Sequence, residues 1–309
     1  MNGVVMICQK HRNFHKKFTD QWENYIEYIT KMCYNPISKM EDERMFDYHV
    51  HTNCSHDGSY APVEQLEAAV RCGVTELCFT DHVDFDNPAM AQLMPPADLG
   101  KLKNKLEGIT PIYKGVRVKI GAEVGLGNLA SSAKAWEYIK PHDLDFIIGS
   151  VHVVKGFDVY FPEYFIGKTK QSAYIGYLET ILNCIKHCDF MCVLGHYDFV
   201  TKYAPFSDRR MSLSISKELF EAIFKSLIER GKGIEINTSA WRDEPAWGND
   251  VLKMYAELGG EFVTTGSDAH RPSAVARRLD EAEKMAVCAG IKYLATYDAL
   301  VPKLHPISQ

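Results

Sequence analysis

Phe46-Asp47-Tyr48-His49-Val50-His51-Thr52 is a short apolar run that ends on two histidines. Alternate residues of a strand point the same way, so His49 and His51 share one face and can reach one metal ion. A lone His-x-His is a weak signal, because a histidine in an apolar run is more often a satisfied core residue. Here the placement repeats. Thr80-Asp81-His82 follows the run 77–79, Glu123 follows 118–122, His152 follows 147–151, Gly195-His196 follows 191–194, and Gly266-Ser267-Asp268-Ala269-His270 follows 262–265. Charged and imidazole groups at apolar strand ends need partners. Together they predict strand ends that carry donors to a common point. Nitrogen and oxygen donors without cysteine suit hard-to-borderline divalent metals doing hydrolysis.

Working outward, short apolar runs recur at 46–50, 76–80, 117–122, 145–151, 190–195, 233–237 and 261–266, with helical stretches between them. Pro62 fits a first helical position, Val63, Leu66 and Val70 form a face, and Gly73 suits the stop. Ile215, Leu219, Ile223, Leu227 and Ile228 form another face, ending near Gly231. The alternation predicts an α/β fold with a mainly parallel sheet. Site residues at nearly every strand's C-terminal end favour a closed or nearly closed, TIM-barrel-like barrel, which gathers its active site at that face. An open doubly wound sheet is the alternative, and it draws ligands from fewer strands.

Composition sets the bounds. The chain has 309 residues, 46% hydrophobic and 24% charged, as in an ordinary globular protein. A net charge of -5 argues against a broad nucleic-acid or anionic-membrane surface. No apolar run is long enough to span a bilayer, and residues 1–8 are too short for a signal sequence. The nine cysteines include no C-x-x-C pair, and their odd count points to a reducing compartment, hence the cytoplasm. Cys184, Cys188 and Cys192 recur every four residues and are expected as a helical stripe of buried thiols. Residues 1–44 read as an N-terminal extension, basic from Lys10 to Lys17 and then amphipathic, ahead of a catalytic domain at 45–309. Met45 directly precedes the first run and is the expected natural start, so the extension is read as a mis-assigned start.

Some residues carry a plainer reading. Asp81 is either an outer carboxylate orienting an imidazole or a turn cap. Gly121, Gly125 and Gly127 fit neither G-x-G-x-x-G nor the P-loop. His56 beside Asp57 is ambiguous. His11, His15, His142, His187 and His305 are expected at the surface.

In order, Asp47-Tyr48-His49-Val50-His51-Thr52, Thr80-Asp81-His82, Gly121-Ala122-Glu123, Gly149-Ser150-Val151-His152, Gly195-His196 and Ser267-Asp268-Ala269-His270 resemble the motifs of the PHP (polymerase and histidinol phosphatase) superfamily. The resemblance runs from about Met45 to Tyr297. The stretches 149–155, 194–199 and 235–240 are similar to its monofunctional histidinol-phosphatase branch. The resemblance implies a distorted (β/α)7 barrel with three divalent metal ions (Zn, Mn, Fe or Co). By motif, His49, His51, Glu123 and Asp268 hold the first ion. A bridging Glu123 with His152 and His196 holds the second, and Asp57, His82 and His270 hold the third. Every ligand position is present, which disfavours a non-catalytic member. The extension departs from the pattern, since the first motif usually lies near the N-terminus.

The implied reaction is hydrolysis of L-histidinol phosphate to L-histidinol and phosphate in histidine biosynthesis, with a hydroxide shared by two metals as nucleophile. Three divalent ions against Asp57, Glu123 and Asp268 leave net positive charge, which suits a phosphate dianion. The alkoxide leaving group calls for a general acid, for which Asp198 and Asp81 are the candidates. Arg242, then Lys202, are the candidates for gripping phosphate, against the plainer reading of surface charges. Asp158, Tyr160 and Glu163 are candidates for the rest of the substrate. Other phosphate esters, namely nucleotides, nucleic-acid ends or phosphotyrosine, are the alternative substrates, and a metal-binding module without turnover is the alternative class.

Overall fold

A computed structural model describes residues 44–86, 93–240 and 248–307. They lie in one compact unit, Arg44–Gln309. The expected extension lies outside the described residues except for Arg44, and Arg242 lies outside them too.

In chain order the strands are β1 (Phe46–Val50), β2 (Glu76–Phe79), β3 (His82–Val83), β4 (Ile112–Tyr113), β5 (Val116–Gly125), β6 (Phe146–Ser150), β7 (Val153–Val154), β8 (Phe157–Asp158), β9 (Val193–Leu194), β10 (Gly233–Asn237), β11 (Phe262–Gly266), β12 (Tyr293–Asp298) and β13 (Val301–Pro306). The seven apolar runs land on β1, β2, β5, β6, β9, β10 and β11. The sheet order is β1-β2-β5-β6-β9-β10-β11-β12-β13, and every neighbouring pair is parallel except β12–β13. Every residue of β1, β2, β6 and β10 is buried. A parallel sheet is covered on both faces, which is why these strands are largely apolar and why the polar residues in them, such as His49 and Glu235, are buried too. β1 also meets β11's end. Val50 bridges Ala269 in parallel, His51 N donates to Ala269 O at 2.9 Å, and Ala269 N to His49 O at 3.3 Å.

The helices are α1 (Pro62–Cys72), α2 (Leu99–Lys105), α3 (Leu129–Ile139), α4 (Lys170–Cys184), α5 (Phe199–Tyr203), α6 (Lys217–Ile228), α7 (Asn249–Glu257) and α8 (Leu279–Ala289). Local chemistry sets their ends. Asn128, Thr169 and Ser216 accept backbone N–H groups at the starts of α3, α4 and α6. Pro62 opens α1, and Gly73, at φ 76°, closes it in the left-handed region that favours glycine.

Several expectations change. Val63 is exposed, and α1 buries Pro62, Gln65, Leu66, Ala68 and Ala69. Ile215 precedes α6, whose buried face is Phe220, Ile223, Phe224 and Leu227. Cys184, Cys188 and Cys192 do not share a helix: α4 ends at Cys184, a 3-10 turn covers Ile185–His187, and Cys192 leads into β9. All three are free, buried thiols. His305 is buried in β13, where its Nε2 meets Thr296 Oγ1 at 2.8 Å. The β12–β13 hairpin is an addition, turning through positive φ at Ala299 and Leu300.

Candidate metal centre

The ends of β1, β5, β6, β9 and β11 converge. His49 and His51 close β1, and period-two geometry aims both inward, with ring centroids 5.0 Å apart. Glu123 lies near the end of β5, paired with His82 of β3 in parallel register. His152, His196, Asp268 and His270 occupy the turns after β6, β9 and β11. All nine residues expected as ligands are brought together, and six of them are buried; Asp57 and His270 form the open side.

Glu123 is the hub. Its Oε1 lies 2.7 Å from Nε2 of His196 and 3.2 Å from Nε2 of His152. Its Oε2 lies 3.2 Å from Nε2 of His49 and 3.1 Å from Nδ1 of His82. Four groups each present donor atoms within 4.8 Å of one another: His51, Asp57, His82 and His270; His49, His51 and Asp268; His49, Glu123 and His196; His82, Asp84 and His152. None repeats an expected set: His51 joins Asp57, His82 and His270, Glu123 is absent beside His49, His51 and Asp268, His49 takes the place of His152 beside Glu123 and His196, and Asp84 enters with His82 and His152. Nε2 of His49, both ring nitrogens of His51 and Oε2 of Glu123 are buried with no hydrogen-bond partner. Orphaned donors of this kind are costly unless an ion takes them up, so the residues present fit divalent metals.

The electrostatics follow from burial and proximity. Burial pushes Glu123 upward, but the imidazoles of His49, His82 and His152 outweigh it and hold the carboxyl well below the usual range. Burial raises Asp268 as well, and Lys202 and His49 reverse it. Burial, with His270 and His82 nearby, lowers His51 to about 3, leaving a neutral imidazole with a lone pair to donate.

The remaining candidates divide. Lys202 Nζ lies 3.1 Å from Ser239 Oγ and 3.4 Å from Asp268 Oδ2, at the edge of the centre. Asp198 is 1% exposed, neither carboxylate oxygen has a hydrogen-bond partner, and burial pushes its pKa up to about 8. Asp158 is buried, Tyr160 rests on Tyr203 with ring centroids 4.6 Å apart, and Glu163 is exposed. Both oxygens of Asp81 are engaged by the turn after β1. Its Oδ1 accepts from Thr52 N at 2.6 Å and its Oδ2 from Thr52 Oγ1 at 2.7 Å. It pins the turn after β1. Asp81→Asn is therefore expected to cost about 1–3 kcal/mol of stability, while the folded fraction keeps its turnover. Thermal melts beside kcat per folded protein check this; a large kcat loss at unchanged melting temperature would restore a catalytic role.

Sequence reasoning missed three outer carboxylates. Asp47 accepts from Ser267 N, Ser267 Oγ and Ala276 N, fixing the turn that carries Asp268. Asp84 Oδ2 lies 3.4 Å from Nδ1 of His82 and 3.5 Å from Nδ1 of His152. Glu235 Oε1 lies 2.7 Å from Nδ1 of His49. An acidic residue inside or just beyond an apolar run was the available signal.

The family model described as PHP domain matches residues 47–239. A histidinol-phosphatase of Lactococcus lactis subsp. lactis strain IL1403 is 28% identical over 260 residues, covering 83% of this chain and 96% of that protein. A probable histidinol-phosphatase of Clostridium acetobutylicum is 27% identical, covering 80% and 95%. Among solved structures, histidinol phosphate phosphatase from Lactococcus lactis, complexed with zinc, L-histidinol and phosphate, superposes with a TM-score of 0.74 at 29% identity, covering 84% of this chain and 98% of that one.

Proposed function

The chain belongs to the PHP domain family, and from that premise we propose that it is a metal-dependent phosphomonoesterase that hydrolyses L-histidinol phosphate to L-histidinol and phosphate in histidine biosynthesis, within the cytoplasm. The observation that carries this reading is the buried knot of histidines and carboxylates around Glu123, whose two oxygens face two different sets of imidazoles. The relatives named histidinol-phosphatase span nearly their whole length in the comparison. The bonds between β1 and the end of β11 support reading the seven main strands as a distorted (β/α)7 barrel.

Three divalent ions are proposed. His49, His51, Glu123 and Asp268 would hold one, Glu123, His152 and His196 a second, and Asp57, His82 and His270 a third. Such ions supply Lewis acidity, lowering the pKa of water and offsetting phosphate charge. The chain's own residues do the rest. Lys202, beside Asp268, adds a positive charge for the phosphate, and Arg242 is proposed for the same task. Asp198, buried with both oxygens unpartnered, is proposed to hand a proton to the departing alkoxide. Asp158 and Tyr160 offer an anion and a ring face to the amino and imidazole groups of the substrate.

The test is phosphate release from L-histidinol phosphate beside nucleotides, phosphotyrosine and an aryl phosphate, with added Mn or Zn and with chelator. A preference for histidinol phosphate of about 100-fold or more in kcat/KM is expected, lost with chelator. Chelator-sensitive activity on other esters alone would overturn the substrate assignment and leave a phosphoesterase.

A further inference from the structure

Glu235 lies within β10, between Ile234 and Ile236, which are fully buried in the hydrophobic core. Strand alternation turns Glu235 and Asn237 the other way, into the metal centre. Its side chain is 1% exposed. A carboxylate so placed needs partners, and its partners all connect to the centre. Oε1 lies 2.7 Å from Nδ1 of His49 on β1. Oε2 accepts from the backbone N of His196 after β9, at 3.0 Å, and from Nδ2 of Asn237, at 3.2 Å.

Glycine makes the room. A Cβ on Gly266, the last residue of β11, would fall 2.2 Å from Oε1 of Glu235 and 2.5 Å from Cβ of His49. With Nδ1–H of His49 donating to Glu235, Nε2 keeps its lone pair. That Nε2 lies 3.2 Å from Oε2 of Glu123 and 3.7 Å from Oδ1 of Asp268. One carboxylate thereby sets the tautomer and aim of His49 and also ties down the backbone that carries His196.

We propose that Glu235 is a positioning residue for metal binding, acting through His49 and His196 without contacting the ion. An outer carboxylate that holds a ligating imidazole raises its basicity and removes rotational freedom before the ion arrives. The inference rests on the reading of this centre as metal-binding and is independent of which ester is hydrolysed.

Glu235→Gln in the full chain tests it. A carboxamide can accept from His49 or from His196 N, but its nitrogen then faces the other donor, so one acceptor is lost with little change in volume. Three quantities are read: metal affinity by competition with a chromophoric chelator, ions per chain at saturation, and the melting temperature of the stripped protein. The expected result is a dissociation constant weakened about 10–100-fold for at least one ion, with the wild-type number of ions at saturation and a stripped melting temperature lowered by no more than the loss of one buried hydrogen bond would cause. At limiting metal kcat falls while KM holds, and added metal restores kcat. Unchanged affinity would overturn the proposal. So would an ion missing at saturation, which would make Glu235 a ligand. Glu235→Asp, one methylene too short to span both partners, is read in the same way. Metal affinity needs no substrate, so a wild-type chain that binds metal but spares histidinol phosphate would refute the substrate assignment and leave this proposal intact.

Discussion

Glu123→Gln is expected to lower phosphate release by a factor on the order of 10³ or more and to strip metal from the purified protein. The effect is large because Glu123 lies against more imidazoles than any other carboxylate of the centre. One oxygen approaches His152 and His196, the other His49 and His82, and the group is fully buried. A glutamine has almost the same shape, yet its nitrogen points hydrogens at imidazoles that must offer lone pairs to an ion. It also removes the negative charge that balances those rings. The checks are elemental analysis of the variant and kcat with metal in excess. A variant that keeps both full metal content and turnover would eliminate Glu123 as the bridging ligand.

Asp198→Asn is expected to lower kcat on L-histidinol phosphate by about 10²–10⁴-fold while metal content stays at the wild-type value. The carboxyl is buried with neither oxygen bonded, so an amide of the same size replaces it without breaking a hydrogen bond. An alkoxide leaves poorly without a proton, whereas a phenolate from an activated aryl phosphate leaves unaided. The loss should therefore shrink toward unity on the aryl ester. An equal loss on both esters would mean that Asp198 acts on the site in some way other than proton delivery, and no loss on either would remove it from the mechanism.

The residues that gather at the candidate centre were legible because their signal is local. An imidazole or carboxylate at the end of an apolar run is expensive to bury, and the cost is visible without knowing what lies opposite. The seven runs matched seven parallel strands for a related reason: strands buried on both faces are largely apolar, with polar residues such as His49 and Glu235 only where they meet the polar centre. The errors share a cause too. Val63 and the cysteine stripe were placed by spacing, but exposure depends on what packs against a helix and on where the helix stops. His305 lacked an apolar run of its own and is buried by Phe46 from the other end of the chain, at a ring separation of 4.7 Å.

The outer carboxylates mark the boundary. Asp81 beside His82 read as an acid, as an orienter of an imidazole or as a turn cap, and the fold gives both its oxygens to Thr52, as a turn cap would. Glu235 looked like part of a strand, and the fold sets it against His49, 186 positions away. Residue type and period settle which side chains must find polar company, since desolvation is a property of the group itself. Which company they find is a matter of strand order and register. A slip of one residue would turn Glu235 into the hydrophobic core and Ile236 into the candidate centre, so the pairing of Glu235 with His49 and with the backbone of His196 exists only once β1, β9 and β10 are brought together.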